Sequence, residues 1–134
     1  MKNKLKRVYV AGPYSADNVL DVLKNIGNGE KACAKLFAFG YSPFCPWHDK
    51  SYVMDLPNHN FTVKQFYDFS ISWLEVSDAI YVLPNAENSK GTQTEIKRAI
   101  ELNIPIFYSI KDLLNGNNRN SNKQKSIIWR IEKY

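Results

Sequence analysis

With 134 residues, 44% hydrophobic and 23% charged, the chain has the size and composition of one domain that buries its core without staples. Two cysteines, Cys33 and Cys45, are too few for a disulfide framework and fit a reducing, cytoplasmic setting, and no apolar run reaches membrane-spanning length. The net charge of +5 resides in the chain ends, around a body (residues 8–110) with eight basic and eleven acidic side chains, so no basic groove is expected and nucleic acid is set aside as a partner.

Leu5 to Ala11 (LKRVYVA) reads as a buried strand stopped by Gly12-Pro13. Asp17 or Asn18 can cap a helix that runs to about Phe39, with Gly40 just past its end. Tyr41 to Pro46 reads as a short second strand, and PWHDKSYVMDLPNHN after it as a long polar and aromatic loop of the kind that carries function. Phe61 to Val76 is predicted as a helix, Ala79 to Leu83 as a strand, Thr92 to Asn103 as a helix and Ile104 to Ser109 as a strand. Asn115 to Asn122 (NGNNRNSN) reads as a linker to a last short helix, IIWRIEKY. The chain thus divides into a domain at residues 1–110 and a linker and helix at 111–134 packed on it.

Strands alternating with helices imply an α/β three-layer sandwich with a mainly parallel sheet. Such sheets hold ligands at the carboxyl ends of their strands, which brings together the loops Gly12–Ser15, Pro46–Asn60 and Pro84–Thr92. No GxxxxGK[ST] stretch occurs, and AGPYS lacks the GxGxxG spacing, so neither a P-loop enzyme nor a bound cofactor is expected. Cys45 and His48 alone are too few for a zinc site; His48 is kept as a pocket candidate, and no metal is expected.

SKGTQTEI (residues 89–96) begins a helix where one of these loops ends. Thr92-x-x-Glu95 has the spacing of a capping box, in which a Glu95→Gln change keeps the cap and stability moves by less than about 1 kcal/mol. Glu95 also shares a helix face with Ala99 and Leu102, beside Ile96 and Ile100, which turns its carboxylate toward the domain. A carboxylate so placed can attack a sugar carbon, and the helix start with the Ser89 and Thr92 hydroxyls suits an anion such as phosphate. Together these describe a nucleotide site.

VYVAGPYS after a basic start, followed by SDAIYVLPNAENSKGTQTEIKRAIELNIPIFY, resembles the nucleoside 2-deoxyribosyltransferase superfamily, which includes the 2'-deoxynucleoside 5'-monophosphate N-glycosidases. The resemblance covers roughly residues 5 to 110, and its specific part is the S-x-G-x-x-x-E run from Ser89 to Glu95. It implies a Rossmann-like domain that pairs as a dimer or a dimer of dimers. Glu95 would be the nucleophile on the deoxyribose anomeric carbon, with Tyr9 near it and Gly12, Tyr14, Ser15, Gly91 and Thr92 around the substrate. Serine at position 89, where members acting on free nucleosides have aspartate, favours a 5'-monophosphate.

The chain departs from the family pattern at two points. Ser70 stands where the family places a second carboxylate; Asp68 is near it in sequence but shares the outward face of Ser72 and Glu75, while Ser70 lies with Phe66 and Trp73. Ser15 stands where the monophosphate hydrolases carry an arginine, and Lys90 is the candidate to supply that charge. The expected activity is hydrolysis or transfer at the N-glycosidic bond of a deoxynucleoside or its monophosphate. The alternative is a catalytically silent nucleotide-binding module.

Overall fold

The computed structural model of the protein describes residues 6–117. Four strands, β1 (Arg7–Ala11), β2 (Ser42–Phe44), β3 (Ala79–Val82) and β4 (Ile106–Phe107), pair in parallel in the order β2-β1-β3-β4. The helices among the described residues are α1 (Val19–Ala38), α2 (Asp49–Asp55), α3 (Val63–Glu75), α4 (Lys90–Glu101) and α5 (Ile110–Asn117). Leu5, most of the predicted linker and the helix IIWRIEKY lie outside the described residues.

The sheet is covered on both faces, because successive strand residues point to opposite sides. Val8, Val10, Ala79 and Tyr81 pack with Ala32 and Leu36 of α1 and with Ile110, Leu113 and Leu114 of α5. Tyr9, Ala11, Ile80 and Val82 pack on the other side with Leu74 of α3 and Ala99 of α4. The fold is therefore an α/β, Rossmann-like three-layer sandwich with an all-parallel sheet.

Caps set the helix limits. Asn18, not Asp17, opens α1 by accepting a hydrogen bond from the Asp21 amide, and Gly40, just after the C-cap Phe39, takes the left-handed conformation with φ +93. Thr62 and Gln65 form a complete capping box, so α3 starts at Val63 rather than at Phe61. Ser89 caps α4 by accepting from the Thr92 amide, which moves the helix start back to Lys90. The capping box expected at Thr92 and Glu95 does not form; both residues lie inside the helix and both are buried.

Three further expectations are corrected. PWHDKSYVMDLPNHN is not an open loop: Pro46 begins a 3-10 turn through His48 that continues directly into α2. The segment from Asn115 to Asn117 completes α5 instead of starting a linker, and Leu113 and Leu114, which anchor that helix in the core, are almost fully buried. Strand β4 is shorter than the expected Ile104–Ser109, since Ile104 is drawn toward the end of α4 by the hydrogen bond its amide donates to the Ala99 carbonyl. No helix among the described residues is long and apolar enough to cross a membrane.

Candidate active site

Chain order reverses at β1, with β2 on one side of it and β3 on the other, so the crevice of the fold opens beyond the carboxyl ends of β1 and β3. The two strand ends are close: the Leu83 amide donates to the Ala11 carbonyl at 2.8 Å. Gly12 makes that approach possible, because a Cβ there would sit 2.7 Å from Leu83 Cδ1. A cavity of about 720 Å³ lies at this point, lined from all three expected loops.

Three helices turn one face each into the cavity. Pro46, Asp49, Lys50 and Val53 line it from the 3-10 turn and α2, and Val63, Phe66, Tyr67 and Ser70 from α3; both sets follow i, i+3, i+4, i+7 spacing. Lys90, Gly91, Thr92 and Glu95 line it from α4, with Ser89 at the cap. Of the residues named from sequence, Gly12, Tyr14, Ser15, Ser70, Ser89, Lys90, Gly91, Thr92 and Glu95 all border this cavity. His48 falls between the inward positions of its turn and does not line it; its carbonyl accepts from Ser51 Oγ. Lys90 borders the cavity with an exposed side chain.

Glu95 is 8% exposed, and its Oε2 has no hydrogen-bond partner. Burial raises its pKa from the ordinary carboxylate value to about 7, with a partial opposing effect from the neighbouring Tyr9 hydroxyl. Tyr9 projects from β1 on the same side of the sheet and is fully buried. Burial, and then the Glu95 charge, push the phenol far above its usual range, while Ser70 pulls the other way, so Tyr9 remains a neutral donor. Tyr9 and Glu95 are close enough for each to shift the other's ionisation, yet neither the Tyr9 hydroxyl nor Glu95 Oε2 completes a well-formed hydrogen bond. Buried polar atoms are ordinarily hydrogen-bonded, and these two are exceptions.

At the start of α4 the Ser89 hydroxyl accepts from the Thr92 amide at 3.3 Å and from Thr92 Oγ1 at 2.9 Å. With its acceptor positions so used, the Ser89 proton is free to donate into the cavity. Asn85, also in the wall, adopts the left-handed conformation with φ 66 that asparagine tolerates.

Sequence reasoning passed over Trp47, Asp49, Lys50, Asn85 and Asn88, all of which line the cavity. The signal that could have found Asp49 and Lys50 was Pro46, which favours the first position of a helix and so fixes which later side chains share its face. Burial raises the Asp49 pKa against the lowering effect of Lys50, which makes it a second carboxyl group in the cavity with increased proton affinity. Among the described residues no three of His, Cys, Asp and Glu cluster as metal ligands would.

Asp68 faces solvent and pairs with Lys64 at 2.6 Å, away from the cavity. Asp68→Asn is therefore expected to change stability by less than about 0.5 kcal/mol and activity not at all, because an exposed i, i+4 pair contributes little. Ser70→Ala, at a position that borders the cavity and acts on Tyr9, is expected to alter kcat or KM several-fold. Parallel kinetics of the two variants check this, and the reverse result would mean that α3 is turned the other way.

A parallel sheet with a helix start, a buried carboxyl group and a cavity of mixed polar and apolar lining at its switch point defines a Rossmann-like protein with a candidate small-molecule site. Residues 6–109 match the family described as Domain of unknown function (DUF7768), and the chain belongs to that family. Among solved structures it is similar to a 2-deoxyribosyltransferase from the psychrotolerant bacterium Bacillus psychrosaccharolyticus, with a TM-score of 0.55 and 18% identity over 78% of this chain and 75% of the other. At that identity the likeness is one of fold. No curated protein matches the sequence significantly.

Proposed function

We propose that the protein cleaves or transfers the N-glycosidic bond of a 2'-deoxynucleoside 5'-monophosphate or deoxynucleoside through a covalent glutamyl-deoxyribose intermediate. The observation that carries this reading is Glu95, a buried carboxyl group with an unpartnered oxygen at the floor of the cavity, next to the Tyr9 phenol. An ionised Glu95 oxygen would bond to the anomeric carbon as the bond to the base nitrogen breaks, and the base would leave with a proton. Asp49, whose proton affinity burial has raised, is the group in the cavity suited to supply that proton. Water, or a second base, would then displace Glu95 from the sugar. The neutral Tyr9 hydroxyl would hold the Glu95 carboxylate in position before the first step and receive it again after the second.

The likeness of fold to a 2-deoxyribosyltransferase supports the choice of substrate class. Incubation with a panel of deoxynucleosides and their 5'-monophosphates, with free base measured, tests the activity; no base from any of them would reject it. A silent nucleotide-binding role draws support from Ser70, a hydroxyl where the resemblance places a second carboxylate. Stabilisation of the protein by the same panel without base release would establish that role instead.

A homodimer is part of this reading. α3 carries Phe66, Phe69 and Trp73 on one stripe and Tyr67, Ile71 and Leu74 beside it, more apolar width than one sheet face covers, and the cavity accounts for some of it through Val63, Phe66 and Tyr67. Tyr52, Met54 and Leu56 of the α2 segment and Trp73 and Val76 at the end of α3 remain exposed, and Tyr52 packs edge-on against Phe69 of α3. A second copy set against α3 would cover such apolar side chains. Sedimentation at micromolar concentration is expected to give at least twice the 15.5 kDa chain mass, and a species near the chain mass would refute the pairing. The free thiols Cys33 and Cys45 fit a reducing, cytoplasmic location.

A further inference from the structure

Lys50 is placed as no ordinary surface lysine is. The residue is only half-buried, but its Nζ is covered and has no hydrogen-bond partner, 3.4 Å above the centroid of the Tyr14 ring and 5.6 Å from that of Trp47. The two rings lie 6.1 Å apart and form one wall of the cavity. An ammonium carries three donors, and the rings satisfy it only through their π faces. Asp49, its chain neighbour, acts on it at a distance, but the ion pairs found among the described residues are Lys64–Asp68, Arg98–Glu75 and Arg98–Glu101.

Burial lowers the Lys50 pKa to about 8, against the raising effects of Asp49, Cys45 and Glu30. The group is thus still mostly protonated at neutral pH while lacking a counter-ion. An unpaired cation held inside a cavity is unfavourable for the empty protein and favourable for an anionic ligand, whose arrival supplies the missing hydrogen bonds.

The same cavity contains a donor array. The Ser89 proton is free to point inward, and the Lys90 and Gly91 amides that open α4 have no partners within the helix, the Thr92 amide being taken by Ser89 Oγ. Lys90, the charge suggested by sequence, is exposed, whereas the Lys50 ammonium is enclosed.

We propose that Lys50, together with Ser89 and the amides at the start of α4, forms the receptor for the 5'-phosphate of a deoxynucleoside monophosphate, with Tyr14 and Trp47 holding the ammonium ready. This rests on the glycosidic reading for the sugar and base, and on the cavity alone for the anion. It makes Lys50, beside Ser89, a residue that separates nucleotides from nucleosides.

The test compares wild type, Lys50→Met, Lys50→Gln and Lys50→Arg at fixed ionic strength. Binding and thermal stabilisation are measured with inorganic phosphate, a deoxynucleoside 5'-monophosphate and the matching deoxynucleoside. Wild type is expected to prefer the monophosphate, and Lys50→Met and Lys50→Gln to lose at least about tenfold of that affinity, as for a charge-assisted hydrogen bond, with nucleoside affinity within about twofold of wild type. Lys50→Arg should keep most of the preference, and the ligand-free neutral variants should melt no lower than wild type. A monophosphate preference that survives both neutral variants, or a wild type that neither prefers the monophosphate nor is stabilised by phosphate, overturns the proposal. Base release separates it from the glycosidic reading. Release without a phosphate preference defeats Lys50 alone, whereas stabilisation by phosphate that both neutral variants lose, with no base released, defeats the glycosidic reading and leaves the phosphate receptor standing.

Discussion

Glu95→Gln is expected to lower turnover by at least about a thousandfold, since an amide cannot form the glycosyl ester and removal of a nucleophile commonly costs that much or more. The accompanying change in stability is expected to depend on pH. The folded-state pKa of about 7 lies above the ordinary value of 4.5, so the native protein holds this proton more firmly than the unfolded chain does. The resulting stabilisation is fully present below the unfolded value and is lost as the pH rises through about 7. Glutamine does not titrate, so the variant should gain on wild type across this range, by on the order of 3 kcal/mol from about pH 4 to about pH 8. This replaces the small, pH-independent change that a capping role would give, because Ser89 and not Thr92 opens the helix. On the proposed mechanism the ionised form is the nucleophile, so kcat/KM should rise as the pH passes about 7. Urea melts of both proteins across this range, with base-release assays, check the set. A Gln variant that still turns over, or a stability difference that is flat with pH, would defeat the assignment.

The parts of the fold that could be read from sequence are those fixed by short-range chemistry. Val8 and Val10 face α1 while Tyr9 and Ala11 face α3 and α4, and this uninterrupted burial is why β1 reads as one continuous apolar run. Asn18 and Gly40 bracket α1 as their cap preferences require. The segment from Pro46 to Asp55 could not be read by periodicity, because α2 buries none of its residues fully and so has no apolar stripe to detect. What holds it is the proline at its start, the packing of Tyr52 against Phe69 of α3 and the seat of Lys50 over the Tyr14 ring. The error over His48 follows directly: in a loop every polar side chain is a candidate, whereas on a helix only the positions that face inward are.

At the start of α4, two overlapping patterns competed. Thr92-x-x-Glu95 spells a capping box, but Ser89-x-x-Thr92 spells a cap one turn earlier, and the earlier one adds Lys90 and Gly91 to the helix. Taking Glu95 out of the first turn also removes its capping partner, and the packing of Ala99 against the sheet then carries the carboxyl group indoors. The shared face of Glu95 and Ala99 was visible in the spacing, whereas the choice of cap depended on which hydroxyl the folded loop brought to the free amides. Ile100, expected beside that face, is 62% exposed. The helix therefore buries a narrower stripe than its composition suggested.

Ser89→Asp is expected to exchange the ligand preference while leaving the fold intact. Aspartate caps a helix as well as serine does, and its charge is favourable at a helix N-terminus, so the ligand-free variant should melt at or above the wild-type temperature. The Thr92 amide and hydroxyl, which now donate to Ser89 Oγ, would donate to the new carboxylate instead. For a nucleoside the change is mild, since its 5'-hydroxyl can donate to a carboxylate as readily as it accepts from a serine proton. For a monophosphate it sets like charges together, and two unit charges about 4 Å apart near a protein surface repel by about 4 kcal/mol. Monophosphate affinity should therefore fall at least about a hundredfold, while nucleoside affinity stays within about fivefold. Combined with Lys50→Met the two losses should be less than multiplicative, because both residues border one cavity and would hold the same phosphate. Titration calorimetry with both ligands on the two single variants and the double variant measures each quantity. Equal loss on nucleoside and monophosphate would show that Ser89 shapes the cavity without meeting a phosphate.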